Sequence, residues 1–163
     1  MAITLAGIAW TVGACGGAAG LADPGACPAP AAALTNDSSD GAYRTAVIRR
    51  IELIQEIDQR FRQAWEERRL RERAQFRADF AAYAHATACE LEVMAGLRAP
   101  ALGPLAEFET GLQAVVAEYL GAMEAGREAV EKRNSSAYND WVKQVDALAV
   151  ALGERREELL AGD

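Results

Sequence analysis

Lysine is almost missing from this chain. Of its 17 basic residues, all but Lys132 and Lys143 are arginine. There is 1 histidine, His85, and aromatic residues make up only 7% of the 163. From Ala42 to Ala95 there is neither glycine nor proline, and no charged side chain precedes Asp23. Each shortage excludes something. A lone histidine rules out a centre built from several imidazoles. No Glu-x-x-His occurs, so the carboxylate-bridged di-metal bundle pattern is missing too. There is no Gly-x-Ser-x-Gly and no phosphate-cradling glycine loop beside a strand. Acid–base chemistry would rest on carboxylates alone, and most of these sit at exposed helical positions as surface charge. The expectation is a protein that is not an enzyme and calls for no cofactor. A net charge of −7 repels a phosphate backbone, which argues against nucleic acid as a partner.

Alanine is abundant, and it costs no side-chain entropy in a helix. Val47, Ile51, Ile54, Ile57, Phe61 and Trp65 recur at three- and four-residue steps, which defines one helix face. Glu56 with Arg60, Asp58 with Arg62 and Glu67 with Arg71 form i,i+4 pairs on the outer side. Between Trp65 and Phe76 only Leu70 is large and apolar; the pattern then resumes through Phe76, Phe80, Tyr83, Leu91 and Met94. No breaker residue interrupts the stretch. The pattern therefore predicts one long, continuous or mildly bent helix of ~80 Å, in preference to two helices broken near residues 66–74.

Gly96, Pro100 and Pro104 end that element. A further helix is predicted from Pro104 to about Lys132, with a seam of Leu105, Phe108, Leu112, Val115, Tyr119 and Ala122. Asn134-Ser135-Ser136 reads as a turn and N-cap. The last helix, Ser136 to about Leu160, carries Tyr138, Trp141, Val145, Leu148, Leu152 and Leu159 on a matching seam. The short loop makes these two helices antiparallel. The fold class is all-α: an antiparallel bundle of three or four helices with one long first helix.

The opening stretch is of another kind. Residues 2–14 form an apolar run as long as a signal h-region and too short to span a bilayer. Extended to Ala22, the run contains Gly7, Gly13, Gly16, Gly17 and Gly20, which suit a membrane span poorly. Val12-Gly13-Ala14-Cys15 resembles the lipobox of bacterial lipoproteins, an aliphatic residue and two small ones before the cysteine that takes diacylglycerol and acyl chains such as palmitate. The resemblance implies lipidation of Cys15, a lipid-anchored place on the extracytoplasmic side of the cell membrane, and removal of residues 1–14 as a signal-like segment. No Lys or Arg precedes Cys15, so a cationic n-region would require a start upstream of Met1. An apolar tail with a chance cysteine, and an ordinary signal peptide cut after Ala14, are the other readings.

If Cys15 carries lipid, Cys27 and Cys89 remain as an even pair. In an oxidising compartment they can form a disulfide. The plainer reading is two unrelated small residues, with Cys89 in a helical core. Residues 15–41 then comprise the lipid-attachment cysteine and a Gly/Ala/Pro-rich flexible tether, and residues 42–163 the helical bundle, with Ser38, Ser39 or Asp40 available as the first N-cap. LRAPALGPL and RNSSAYNDWVKQVDAL resemble the endings of small, uncharacterised helical lipoproteins of high-GC actinobacteria, a likeness with which the Ala-, Gly- and Arg-rich composition agrees. The likeness implies no activity.

Two groups of residues merit weighing. Residues 60–77 hold Arg60, Arg62, Arg68, Arg69, Arg71, Arg73 and Arg77 against 3 glutamates. They can meet anionic headgroups, a cell-envelope polymer or an acidic protein. A solvated helix face, knitted by its own acids or by those of neighbouring helices, is the plainer alternative. His85 and Cys89 are i,i+4 neighbours, with Glu92 a turn further on. A metal site needs three or four ligands, and no second His/Cys pair is evident, so no metal is expected there. The expected function is a membrane-anchored lipoprotein presenting its bundle as a binding or scaffold module. The alternatives are a soluble bundle that handles a ligand or metal, and a cytosolic self-assembly protein whose long helix pairs with a second copy as a homodimer.

Overall fold

The computed structural model describes Cys27 and residues 39–66, 74–100 and 105–162. Four helices follow in order: α1 Asp40–Glu66, α2 Ala74–Gly96, α3 Leu105–Glu131 and α4 Ser135–Ala161. Among the described residues there is no strand. At the start of α1, Ser39 Oγ accepts from the Ala42 amide at 3.2 Å, satisfying one of the donors that the first turn leaves free. Tyr43, Val47, Ile51 and Ile54 form the buried stripe that follows.

The long first helix expected from the unbroken pattern is not what forms. Arg50 Nη1 lies 2.7 Å from Glu90 Oε2, and the ring of Phe61 stacks on Tyr83 with centroids 4.4 Å apart. A continuous helix would hold residues 50 and 90 about 60 Å apart. The chain reverses between Glu66 and Ala74 instead, and α2 packs antiparallel on α1. Burial decides this. Phe61 and Trp65 end one helix and Phe76 and Phe80 begin the next, so folding back lays these rings on one another. A straight helix would leave them in water, at roughly 1.5–3 kcal/mol for each large side chain. The long helix expected to pair with a second copy is likewise replaced by two shorter ones, and α1 is flanked by α2 and α4. The residues of the reversal itself, including Glu67 and Arg71, lie outside the described ones.

Each helix packs on its neighbour in sequence, and α4 closes the ring against α1. Arg44 Nη1 donates to the Leu159 carbonyl at 2.7 Å, and Gln113 Nε2 to that of Met94 at 3.4 Å, contacts that fix antiparallel directions for α1/α4 and α2/α3. The result is an up-down-up-down four-helix bundle. On α3 Val116 is buried and Val115 only half-buried, because the helix faces both α2 and α4 and its apolar stripe is correspondingly wide.

The α3–α4 turn is tight. The Asn134 amide donates to the Ala129 carbonyl at 2.9 Å and the Arg133 amide to that of Val130 at 3.2 Å, a Schellman-type closure. Arg133 holds the left-handed position, φ 53°, where glycine usually sits. Asn134 then caps α4, its side-chain oxygen accepting from the Ala137 amide at 3.1 Å. Arg133→Gly is expected to raise stability by about 0.5–1 kcal/mol, since it relieves a strained left-handed residue at an exposed position. Chemical denaturation of the two proteins side by side checks this, and a loss of stability would contradict it.

The reversal end of the bundle is lined with rings. Phe80 lies 4.9 Å from Trp141, 5.7 Å from Phe61, 5.8 Å from Tyr83 and 5.9 Å from Phe76, centroid to centroid. Trp141 in turn packs closely against Gly126 of α3, where an added Cβ would collide with the indole at Nε1. Gly126→Ala should therefore destabilise by about 1 kcal/mol. Overpacking of about 1–3 kcal/mol outweighs a helix-propensity gain of about 1. A variant more stable than the parent would show that the indole moves aside freely.

Candidate functional site

Three places on the bundle concentrate chemistry. The first joins the amino-terminal segment to α2. Cys27 Sγ and Cys89 Sγ are bonded at 2.00 Å, with their Cα atoms 5.2 Å apart, closing a loop across a sequence separation of 62. Cys89 is buried in the α2 face and Cys27 is half-buried above it. His85 Nε2 stands 3.6 Å from Cys89 Sγ, one helical turn before it. Glu92 Oε2 stands 3.6 Å from Cys27 Sγ. A bridged sulfur carries no proton, so Cys27 has nothing to donate to the Glu92 carboxylate, whereas Cys89 Sγ can still accept from His85 in the tautomer that carries its proton on Nε2. The ligand atoms of Cys27, His85 and Cys89 lie within 4.8 Å of one another. In the sequence, Cys27 with Cys89 and His85 with Cys89 and Glu92 read as two separate groupings. The structure makes them one, sharing Cys89.

The second place is the cross-helix network around Arg62. Its guanidinium donates to Asp58 Oδ2 at 2.7 Å on α1 and to Asp146 Oδ1 at 2.6 Å on α4. Asp58 Oδ1 also accepts from Tyr83 Oη at 3.1 Å. Burial lowers the affinity of Arg62 for its proton, but the hydrogen bonds and charges of Asp58 and Asp146 more than offset this, and its pKa is raised. Of the arginines singled out in the sequence, Arg60, Arg62 and Arg77 are among the described residues, and their surroundings differ. Arg62 is half-exposed and bridges α1 to α4 through its pairs with Asp58 and Asp146. Arg60 is exposed, its Nε donating to the Glu56 carbonyl at 3.1 Å, and Arg77 is half-buried on α2. Arg68, Arg69, Arg71 and Arg73 lie outside the described residues, as does Cys15. The i,i+4 spacing of Asp58 and Arg62 was visible in the sequence. Asp146, 84 residues away, carried no signal.

Tyrosines flank this network. Burial pushes Tyr83 and Tyr119 well above the usual phenol range; the nearby charge of Asp58 adds to both. Tyr43 is pushed up to about 12, by burial first and then by Glu109, with Arg98 pulling the other way. A phenol with a raised pKa in the fold binds its proton more tightly folded than unfolded. Its contribution to stability is fully present below an unfolded pKa of about 10 and is lost as pH rises towards the folded value. The helix signal should hold to about pH 10 and then fall. None of the buried Tyr43, Tyr83 and Tyr119 should ionise before the helices melt. An alkaline titration followed by tyrosinate absorbance and circular dichroism checks this. Two or more tyrosinates in a fully helical chain would contradict it.

The third place is an open cleft of about 480 Å³ beside the α3–α4 turn, edged by Glu128, Lys132, Asn134, Asp140, Trp141 and Gln144. Glu128 and Lys132 pair with each other across one turn of α3, so the cleft presents a self-satisfied rim. Among the described residues no helix is long and apolar enough to cross a membrane.

The architecture is that of a four-helix bundle with a disulfide clasp on one helix. Comparison with protein-family models, with curated proteins and with solved structures finds no match for this chain.

Proposed function

We propose that the chain is a bacterial lipoprotein, anchored through an acylated Cys15 on the extracytoplasmic side of the membrane, and that it presents the four-helix bundle as a binding or scaffold module. The bridge from Cys27 to Cys89 is the observation that carries this reading. Disulfides persist in oxidising compartments and are rare where thiols are kept reduced. The lipobox-like Val12-Gly13-Ala14-Cys15 stands 12 residues before the clasp (27 minus 15) and supplies a chemical route to the same address. In this reading residues 16–26, rich in Gly, Ala and Pro, tether the lipid to the clasp, and the clasp fastens the tether to α2. An acidic protein or an envelope polymer docks on the helical faces of the bundle, first along the segment from Arg60 to Arg77, in which Arg62 is already engaged by Asp58 and Asp146.

The deciding experiment is an intact mass of the protein recovered from the membrane fraction of its native host, beside a Cys15→Ala variant. The expected wild-type species lacks residues 1–14 and carries acyl mass on Cys15, whereas the variant carries none. An unmodified chain beginning at Met1 in the soluble fraction would overturn the proposal.

A further inference from the structure

The clasp holds more than a disulfide requires. A structural bridge needs two cysteines, yet this one has an imidazole and a carboxylate set against it from the same helix. His85, Cys89 and Glu92 follow at one-turn intervals along α2, so they share a face, and Cys27 is brought over that face from outside the bundle. We propose that reduction of the Cys27–Cys89 bridge converts the clasp into a binding site for one thiophilic divalent cation, zinc above all. Its ligands are Cys27 Sγ, Cys89 Sγ and His85 Nε2, and the Glu92 carboxylate completes a tetrahedron.

The distances carry the argument. With metal–sulfur bonds of about 2.3 Å and metal–nitrogen or –oxygen bonds of about 2.0–2.1 Å, a tetrahedral site has sulfur-to-nitrogen and sulfur-to-oxygen edges of about 3.5–3.6 Å. Cys89 Sγ to His85 Nε2 is 3.6 Å, and Cys27 Sγ to Glu92 Oε2 is 3.6 Å. Two opposite edges of the tetrahedron are already at length. Two things must change: the sulfurs part to about 3.8 Å, and the Glu92 carboxylate, which lies beside Cys27 but outside the trio of Cys27, His85 and Cys89, swings towards the other two ligands. Breaking the bond lets the sulfurs part in just this way, and the half-buried Cys27 is free of the helical frame that holds Cys89. The donor set of two sulfurs, one imidazole nitrogen and one carboxylate oxygen suits zinc, and the two thiolates disfavour magnesium or calcium.

The balance is simple. A dithiol gives two electrons and two protons to the bridge; the product is two protein thiols and one new disulfide in the reductant. The cation then displaces the two thiol protons to solvent and binds both sulfurs as thiolates. Oxidation by a small-molecule disulfide runs the other way: the metal leaves, the two thiolates rejoin as the bridge, and the reagent takes their two electrons with two protons from solvent and becomes thiol. The amino-terminal segment thus stays fastened to α2 in two alternative states, by a sulfur–sulfur bond or through a metal ion. This inference does not rest on the lipid anchor, and its failure would leave the proposed address untouched.

The test uses the full chain carrying Cys15→Ala, so that no third thiol competes. The bridge is reduced with a water-soluble phosphine, which takes its oxygen from water, becomes the phosphine oxide and leaves no competing dithiol. Cobalt(II) is the probe, since a tetrahedral thiolate site gives it both intense visible bands and a sulfur-to-cobalt charge-transfer band. The reduced chain should bind one equivalent, and zinc should displace it. The oxidised chain should show neither band. Loss of an outer-shell partner alone costs about 10–100-fold in metal affinity, so His85→Ala, which removes a ligand, should weaken cobalt at least about tenfold. Cys27→Ser should also weaken it at least about tenfold and roughly halve the charge-transfer band. Because Cys27 lies outside the four helices, that variant should keep its helical circular dichroism, which separates loss of the site from loss of the fold. Cobalt uptake below half an equivalent by the reduced chain would overturn the proposal, and so would equal affinity in the Cys27→Ser or His85→Ala variant or equal binding by the oxidised chain.

Discussion

Phe80→Ala should destabilise the bundle by about 3–5 kcal/mol and lower its Tm by on the order of 10 °C. Phe80 is 1% exposed and touches rings from three helices: Phe61 of α1, Phe76 and Tyr83 of α2, and Tyr138 and Trp141 of α4. Truncation loses the transfer free energy of the ring and leaves a cavity that rigid aromatic neighbours close only in part. The position also matters for topology. The Phe80 ring is among those that draw α2 back onto α1, so its removal weakens the contact that makes the reversal favourable. Urea denaturation should show a lower midpoint with an unchanged slope, since the amount of surface exposed on unfolding is nearly the same. A loss below about 1 kcal/mol would mean that the neighbouring rings collapse into the space, and that the cluster is softer than its packing implies.

Cys27→Ser should cost a comparable amount by a different route. The bridge closes a loop across a sequence separation of 62, which in the chain-entropy model is worth about 4 kcal/mol. The stabilisation lies in the unfolded chain, which the bridge restricts, and little of it in contacts made by Cys27. Two signs separate this from Phe80→Ala. Without the cross-link the unfolded ensemble expands, so the denaturant slope should rise. A metal-free reductant should also bring the wild type down to the level of the variant while leaving the variant unchanged. If the reduced wild type stays more stable than Cys27→Ser in the presence of a chelator, Cys27 contributes through contacts and not through loop closure.

Much of the fold can be read from residue order alone, because periodicity reports which side of a helix is apolar. The Leu105, Phe108, Leu112 seam and the Trp141, Val145, Leu148 and Leu152 seam are buried, and Asn134 caps α4 as its position before Ser135 and Ser136 suggests. The all-α class, the proline-marked break after Gly96 and the antiparallel pairing of the last two helices follow from local chemistry that works over a few residues. Ser39 at the head of α1 belongs to the same kind.

What the tertiary structure decided is everything that compares distant segments. Nothing between Ala42 and Ala95 is a helix breaker, so propensity alone favours one rod. The chain turns because Phe61 and Trp65 gain more by covering Phe76 and Phe80 than the helix loses at two solvated ends, a comparison that propensity does not contain. The same reversal leads Arg50 to Glu90. The closure of α4 on α1 assigns Arg62 to Asp146, and the docking of the amino-terminal segment sets Cys27 beside His85, Cys89 and Glu92. Local sequence therefore determined the helices and their apolar faces. The burial of those faces against one another determined which charges pair across helices and which side chains meet at the clasp, because burial is a property of surfaces that come together only after the chain has turned.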